Sequence, residues 1–155
     1  MRFAGHSVSF GFVASNRVAH CQSLQSKQVS SSGSLKIGDF GSAIFKDMQP
    51  DGSEGDAVYQ APELFDGNVF STKPRAHVHS AADVFSLGLM LFEMVTGAPL
   101  QKSGALFHHL RRGGGRELLE GRVTRDTQNW IMRMLHTEPE QRPSASEIAE
   151  ARLWQ

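Results

Sequence analysis

Four short stretches of this chain set a charged side chain beside backbone punctuation. Asp39-Phe40-Gly41 follows the strand-like Leu35-Lys36-Ile37-Gly38. Ala61-Pro62-Glu63 opens a short helix with Leu64 and Phe65. Asp83 stands in a strongly apolar run, and Arg142 precedes Pro143 and Ser144. Each three-residue match is weak alone. Other reactive side chains lead to blander readings. His77 and His79, and His108 and His109, lack the spaced carboxylates or cysteines that would complete a metal set. Arg111-Arg112-Gly113-Gly114-Gly115-Arg116 holds one Arg-Gly-Gly element, which RNA-binding tails repeat. A helix ending in a glycine loop is the simpler account. Gly33-Ser34-Leu35-Lys36-Ile37 is not a phosphate-binding loop.

The element that must position these residues is Ser80 to Gly97. Val84, Phe85, Leu87, Leu89, Met90, Leu91, Phe92, Met94 and Val95 leave it no wide polar face. A helix that is hydrophobic all round is a buried one. Ser80 reads as its N-cap and Gly97 as its left-handed stop. Asp83 and Glu93 interrupt the run, and it is too short to span a membrane. Asp83 has two readings at this point. It is a first-turn carboxylate favoured by the helix dipole, or a buried acid with dedicated donors.

The 155 residues suffice for one domain with a core. Sixteen basic and sixteen acidic residues cancel, so nothing in the balance calls for nucleic acid or an anionic membrane. Cys21 is the one cysteine, which excludes a disulfide framework and fits a reducing compartment, nucleus or cytoplasm. No run of apolar residues is long enough for a transmembrane segment.

The first acid in the chain is Asp39. Residues 1–34 hold nine serines and end in Ser30-Ser31-Ser32-Gly33-Ser34, which reads as a flexible linker. A disordered or unrelated extension is expected there, with a weak strand around Val8, Phe10 and Phe12. Ser-rich, Arg-bearing and acid-free composition also describes an organelle transit peptide. Residues 42–55 and 67–79 read as loops. Further helices are expected over 104–112 and 127–135. A last one is opened by the capping box Ser144-Ala145-Ser146-Glu147.

Taken in order, the four stretches resemble the protein kinase superfamily. The 25 residues from Asp39 to Glu63 resemble an activation segment from its start to its end. Asp83-Val84-Phe85-Ser86-Leu87-Gly88 resembles the start of the kinase central helix. Glu140-Gln141-Arg142-Pro143-Ser144 resembles the arginine before the last helix. Within the superfamily, Glu54-Gly55-Asp56-Ala57-Val58-Tyr59-Gln60-Ala61-Pro62-Glu63-Leu64 is similar to the Wee and Myt-type kinases, which inhibit cyclin-dependent kinases. Phe85, and Leu110-Arg111 followed by Gly113, point the same way. The resemblance covers residues 35–155.

The resemblance implies a mainly α, C-lobe fragment of a kinase around one buried central helix, with no N-lobe. It implies ATP and magnesium as the parent family's cofactors and a cyclin-dependent kinase as substrate or partner. Asp39 would hold magnesium, with Gly41 allowing the turn that aims it and Phe40 between them in the cofactor-binding motif. Gly55, Asp56 and Tyr59 would shape the shelf that receives the substrate residue. Ala61, Pro62 and Glu63 would end that shelf, with Glu63 paired to Arg142. Asp83 would accept hydrogen bonds from the catalytic-loop backbone, and Gly88 is a structural match.

The chain also departs from the pattern. A working kinase carries His-Arg-Asp-x-x-x-x-Asn ahead of Asp39, supplying the base and a second magnesium ligand. Here that region reads Ala19-His20-Cys21-Gln22-Ser23-Leu24-Gln25-Ser26-Lys27. No Gly-x-Gly-x-x-Gly loop and no Lys–Glu pair for the phosphates is found upstream. The chain alone is therefore expected to be inactive. It reads either as part of a longer enzyme or as a non-catalytic, pseudokinase-like interaction module.

Overall fold

The computed structural model describes four strands by their backbone, together with residues 56–65 and 75–151; side chains are described for 56–65 and 80–151. The architecture is mainly α. Strands β1 (Val18–Cys21), β2 (Lys27–Val29), β3 (Leu35–Ile37) and β4 (Ala43–Phe45) form two antiparallel pairs. β1 pairs with β4, matching His20 with Ile44 and Cys21 with Ala43. β2 pairs with β3, matching Lys27 with Ile37 and Val29 with Leu35. β1 and β2 fall within residues 1–34, and Ser30–Ser34 links β2 to β3 in the sequence. The alternation at Val8, Phe10 and Phe12 lies outside the described residues.

The helices are α1 (Arg75–Thr96), α2 (Ala105–Arg111), α3 (Arg116–Leu119), α4 (Arg125–Met134) and α5 (Ala145–Glu150). Short 3-10 turns occupy Pro62–Leu64 and Pro139–Gln141. α1 is the expected central helix, but it starts at Arg75, not Ser80. Its start follows Pro74 directly, where a proline is tolerated and no breaker stands between it and the apolar run. Ser80 therefore lies in the second turn, and Asp83 in the third. The dipole acts within the first turn, so it does not account for Asp83.

α1 is buried along most of its length. Phe85, Leu89 and Phe92 are fully enclosed, joined by Leu110 of α2, Leu119 of α3, Ile131 and Met134 of α4, and Leu135. The burial ends near Met94, which is 65% exposed. Gly88 sits at a close approach of α1 to α4. A Cβ there would lie 2.8 Å from the Met134 Cβ. Gly97 closes α1 with φ at 67°, its N–H donating to the Glu93 carbonyl at 2.8 Å.

The outer helices are set by local signals. Thr124 caps α4 by accepting from the Thr127 N–H, and Ser144 and Glu147 form a complete capping box on α5. Gly113 to Gly115 make the turn between α2 and α3, with the Gly113 and Gly114 N–H groups donating to Leu110 and His109 carbonyls. α3 is too short to leave a period in the sequence. It forms because Leu119 drops into the core beside α1.

Candidate functional site

The site builds outward from residues 56–63. Asp56 starts the local structure: its carboxylate accepts from the Val58 N–H at 3.0 Å, and its carbonyl accepts from the Tyr59 N–H at 3.0 Å. This is the side-chain-mimicked turn that aspartate favours. Lys102 approaches the Asp56 carboxylate at 3.8 Å on the exposed side.

The next four carbonyls make no helix or strand bonds, and each receives a side-chain donor. Ser86 of α1 donates to the Tyr59 carbonyl at 2.8 Å. Arg111 of α2 donates to the carbonyls of Ala57, Val58 and Gln60 at 3.2, 2.9 and 2.8 Å. The Tyr59 hydroxyl donates to Glu93 Oε2 at 2.6 Å, while Glu93 Oε1 accepts from the Leu100 N–H. Burial, then the Glu93 carboxylate, pushes the Tyr59 phenol up to about 12. Burial alone pulls Arg111 down to about 10.

Beyond Tyr59 the chain turns inward. Ala61 is fully buried, and Pro62 opens the 3-10 turn that carries Glu63 into the protein. Glu63 meets Arg142 there, 79 residues on, in a two-pronged ion pair: Nη1 to Oε1 at 2.5 Å and Nη2 to Oε2 at 2.7 Å. Both side chains are shut off from solvent. Arg142 spends its remaining donors on the carbonyls of His136, Ala81 and Thr137. All five guanidinium N–H groups are thus matched, as a buried arginine requires. Its guanidinium also lies 4.8 Å from the Phe85 ring centroid.

Asp56, Tyr59, Ala61, Pro62 and Glu63 thus form one continuous ledge on α1 and α2, tied down by Arg142. Asp83 is half-buried on α1 and engaged, so it is not stranded. Gly88 serves the α1–α4 crossing. Asp39, Phe40, Gly41 and Gly55 lie outside the described residues. Sequence reasoning did not assign Ser86, Glu93 or Arg111 to the ledge. Glu93 and Ser86 were visible as polar residues inside an apolar helix, and that was the available signal.

An anchored ledge between a Pro-opened turn and a buried Glu–Arg pair is a specific construction. The sequence profile of the protein kinase domain matches residues 27–154. The chain belongs to the protein kinase family. It is 34% identical over 115 residues to the membrane-associated tyrosine- and threonine-specific cdc2-inhibitory kinase of Drosophila melanogaster, covering 73% of this chain and 20% of that protein. It is 34% identical over 116 residues to a Wee1-like protein kinase of the same organism, covering 73% of this chain and 17% of that one. The chain therefore spans about a fifth of the length of these relatives. In the crystal structure of the Rad53 kinase domain and SCD2, 77% of this chain and 41% of that chain superpose with a TM-score of 0.54 at 23% identity. That likeness concerns the fold. Among the described residues no helix is long and apolar enough to cross a membrane.

Proposed function

We propose that this kinase-family chain is of Wee and Myt type. The parent reaction is transfer of the ATP γ-phosphate to a Tyr or Thr of a cyclin-dependent kinase, in the nucleus or cytoplasm. We further propose that the 155-residue chain does not perform that transfer by itself. The observation that carries this reading is a contrast between two parts of one chain. The ledge at 56–63 is fully tied, whereas the catalytic stretch has the wrong donors.

That stretch joins the end of β1 at Cys21 to the start of β2 at Lys27. Aligning His20 with the histidine of His-Arg-Asp-x-x-x-x-Asn sets Gln22 at the base and Lys27 at the second metal ligand. An amide does not take up the substrate proton at neutral pH. An ammonium repels a hard cation that wants oxygen ligands. Asp39 alone has the right chemistry for magnesium. This donor set does not fit the family's magnesium–ATP complex.

Gly55, Asp56 and Tyr59 act in this reading as the substrate shelf. Glu63 and Arg142 hold its far end. Calorimetry with magnesium-ATP and a radiolabelled transfer assay on a cyclin-dependent kinase test the reading. The expected result is no turnover and millimolar nucleotide affinity at best, roughly −4 kcal/mol. Micromolar ATP binding abolished by Asp39→Ala, or turnover that depends on Asp39, would overturn it.

A second reading is favoured by the ties themselves. The carbonyls of residues 57–60 are held by α1 and α2 side chains. A shelf held in this way can dock a kinase partner without catalysis. Direct binding of a purified cyclin-dependent kinase, measured without nucleotide, supports this module reading. Binding that occurs only with nucleotide counts against it.

A further inference from the structure

Arg111 entered the sequence reading as part of the Leu110-Arg111-x-Gly113 resemblance, with no role attached, yet it donates to three of the shelf's carbonyls. Its Nη2 reaches the carbonyls of Ala57, Val58 and Gln60, and its Nε donates to Gln60 at 3.1 Å. Nη1 donates to the Phe107 carbonyl within α2, fixing the side chain to its own helix. The guanidinium carbon lies 3.6 Å from the Phe107 ring centroid and 5.4 Å from that of Phe65, two rings that themselves meet edge to face. Among the described residues it pairs with no carboxylate; its charge faces carbonyl dipoles and aromatic rings. A half-buried cation costs solvation, so this arrangement persists through the geometry it enforces. The planar fork matters because several carbonyls converge on one edge, which a point-charge ammonium cannot match.

We propose that Arg111 is a positioning residue for the substrate shelf. It fixes residues 57–60 to α2, so that a partner protein meets the shelf and α2 as one surface. This rests on reading residues 55–61 as the substrate shelf, and the experiment separates the two.

Tyr59 is the one tyrosine of the chain, so tyrosine labelled with carbon-13 gives a single ring signal from the shelf itself. In the full chain, Arg111→Lys and Arg111→Ala are expected to move that signal most of the way to its position in urea, with the helical circular dichroism retained. Arg112→Ala, an exposed neighbour, leaves it in place. A signal unmoved by both Arg111 variants overturns the proposal. A variant-free measurement guards against misfolding: the Arg111 Nε–H should exchange with solvent at least about tenfold more slowly than that of Arg112. Equal exchange overturns the proposal as well. The binding arm uses a purified cyclin-dependent kinase. Arg111→Lys should weaken its binding by about tenfold or more. If the unsubstituted chain does not bind while the Tyr59 signal still follows Arg111, the positioning role stands and the shelf reading falls.

Discussion

Removing Arg142 is the sharpest test of how the ledge is held. Arg142→Ala deletes two bonds to Glu63 and three to the carbonyls of Ala81, His136 and Thr137. Glu63 stays behind with its side chain 1% exposed. Stranding one member of a buried pair costs ~3–5 kcal/mol. The three carbonyls lose donors worth ~1 kcal/mol each, partly regained from water entering the space left by the guanidinium. The expected loss is about 4–6 kcal/mol, against a total stability of ~5–15 kcal/mol for a domain. Urea unfolding followed by circular dichroism measures it, with Arg142→Lys as the milder variant should the alanine form be too unstable. A pair replaced on both sides behaves differently, because no charge is stranded. Glu63→Leu combined with Arg142→Met should therefore be more stable than either single variant by ~2 kcal/mol or more. If Arg142→Ala costs less than ~1 kcal/mol, the pair is only a surface-like contact and the anchor argument fails.

Other expectations follow from single contacts. Tyr59 has its folded pKa raised to about 12 from 10.0, so the unfolded chain releases its proton first. Stability from this group is full below pH 10 and falls as pH rises toward 12; the melting midpoint should therefore drop across that window, and Tyr59→Phe should lessen the drop. Gly88→Ala inserts a methyl 2.8 Å from the Met134 Cβ, and this overpacking should cost ~1–3 kcal/mol in urea melts. An unchanged midpoint would mean that α4 moves away freely. Ser144→Ala removes the α5 capping box and should cost ~1 kcal/mol, read by the same melts.

The parts of the fold legible in the sequence are those with strong local chemistry. An apolar run fixed the central helix, and Ser144 with Glu147 announced α5 by a reciprocal cap. α1 ran one and a half turns further back than expected because Ser80, a good cap in isolation, competes with nothing that stops the helix before Pro74. α3 left no trace because four residues carry no period. The family was legible through motif order. Arg111 was not legible as part of the shelf, because its partners are backbone carbonyls 51 to 54 positions away. A carbonyl has no residue type, so no sequence pattern marks it. Glu63 and Arg142 were legible through the family resemblance, which pairs these two motif positions.

Among the described residues, the ledge is held by groups other than those that phosphoryl transfer needs. The ledge needs three kinds of support: a buried charge pair at its end, donors to its free carbonyls, and a closed turn at its start. Arg142, then Arg111 with Ser86, then Asp56 supply them, and all lie between residues 56 and 142. Phosphoryl transfer needs groups of another kind, a base and metal ligands aimed at a nucleotide. Those groups would come from the stretch between β1 and β2 and from Asp39. Substituting Gln22 or Lys27 should therefore leave the Tyr59 signal and the urea midpoint untouched, because the supports seen among the described residues are complete without them. A Gln22→Asp, Lys27→Asn variant that shifts the Tyr59 signal would show that the two parts are coupled, and that the shelf answers to the catalytic stretch after all.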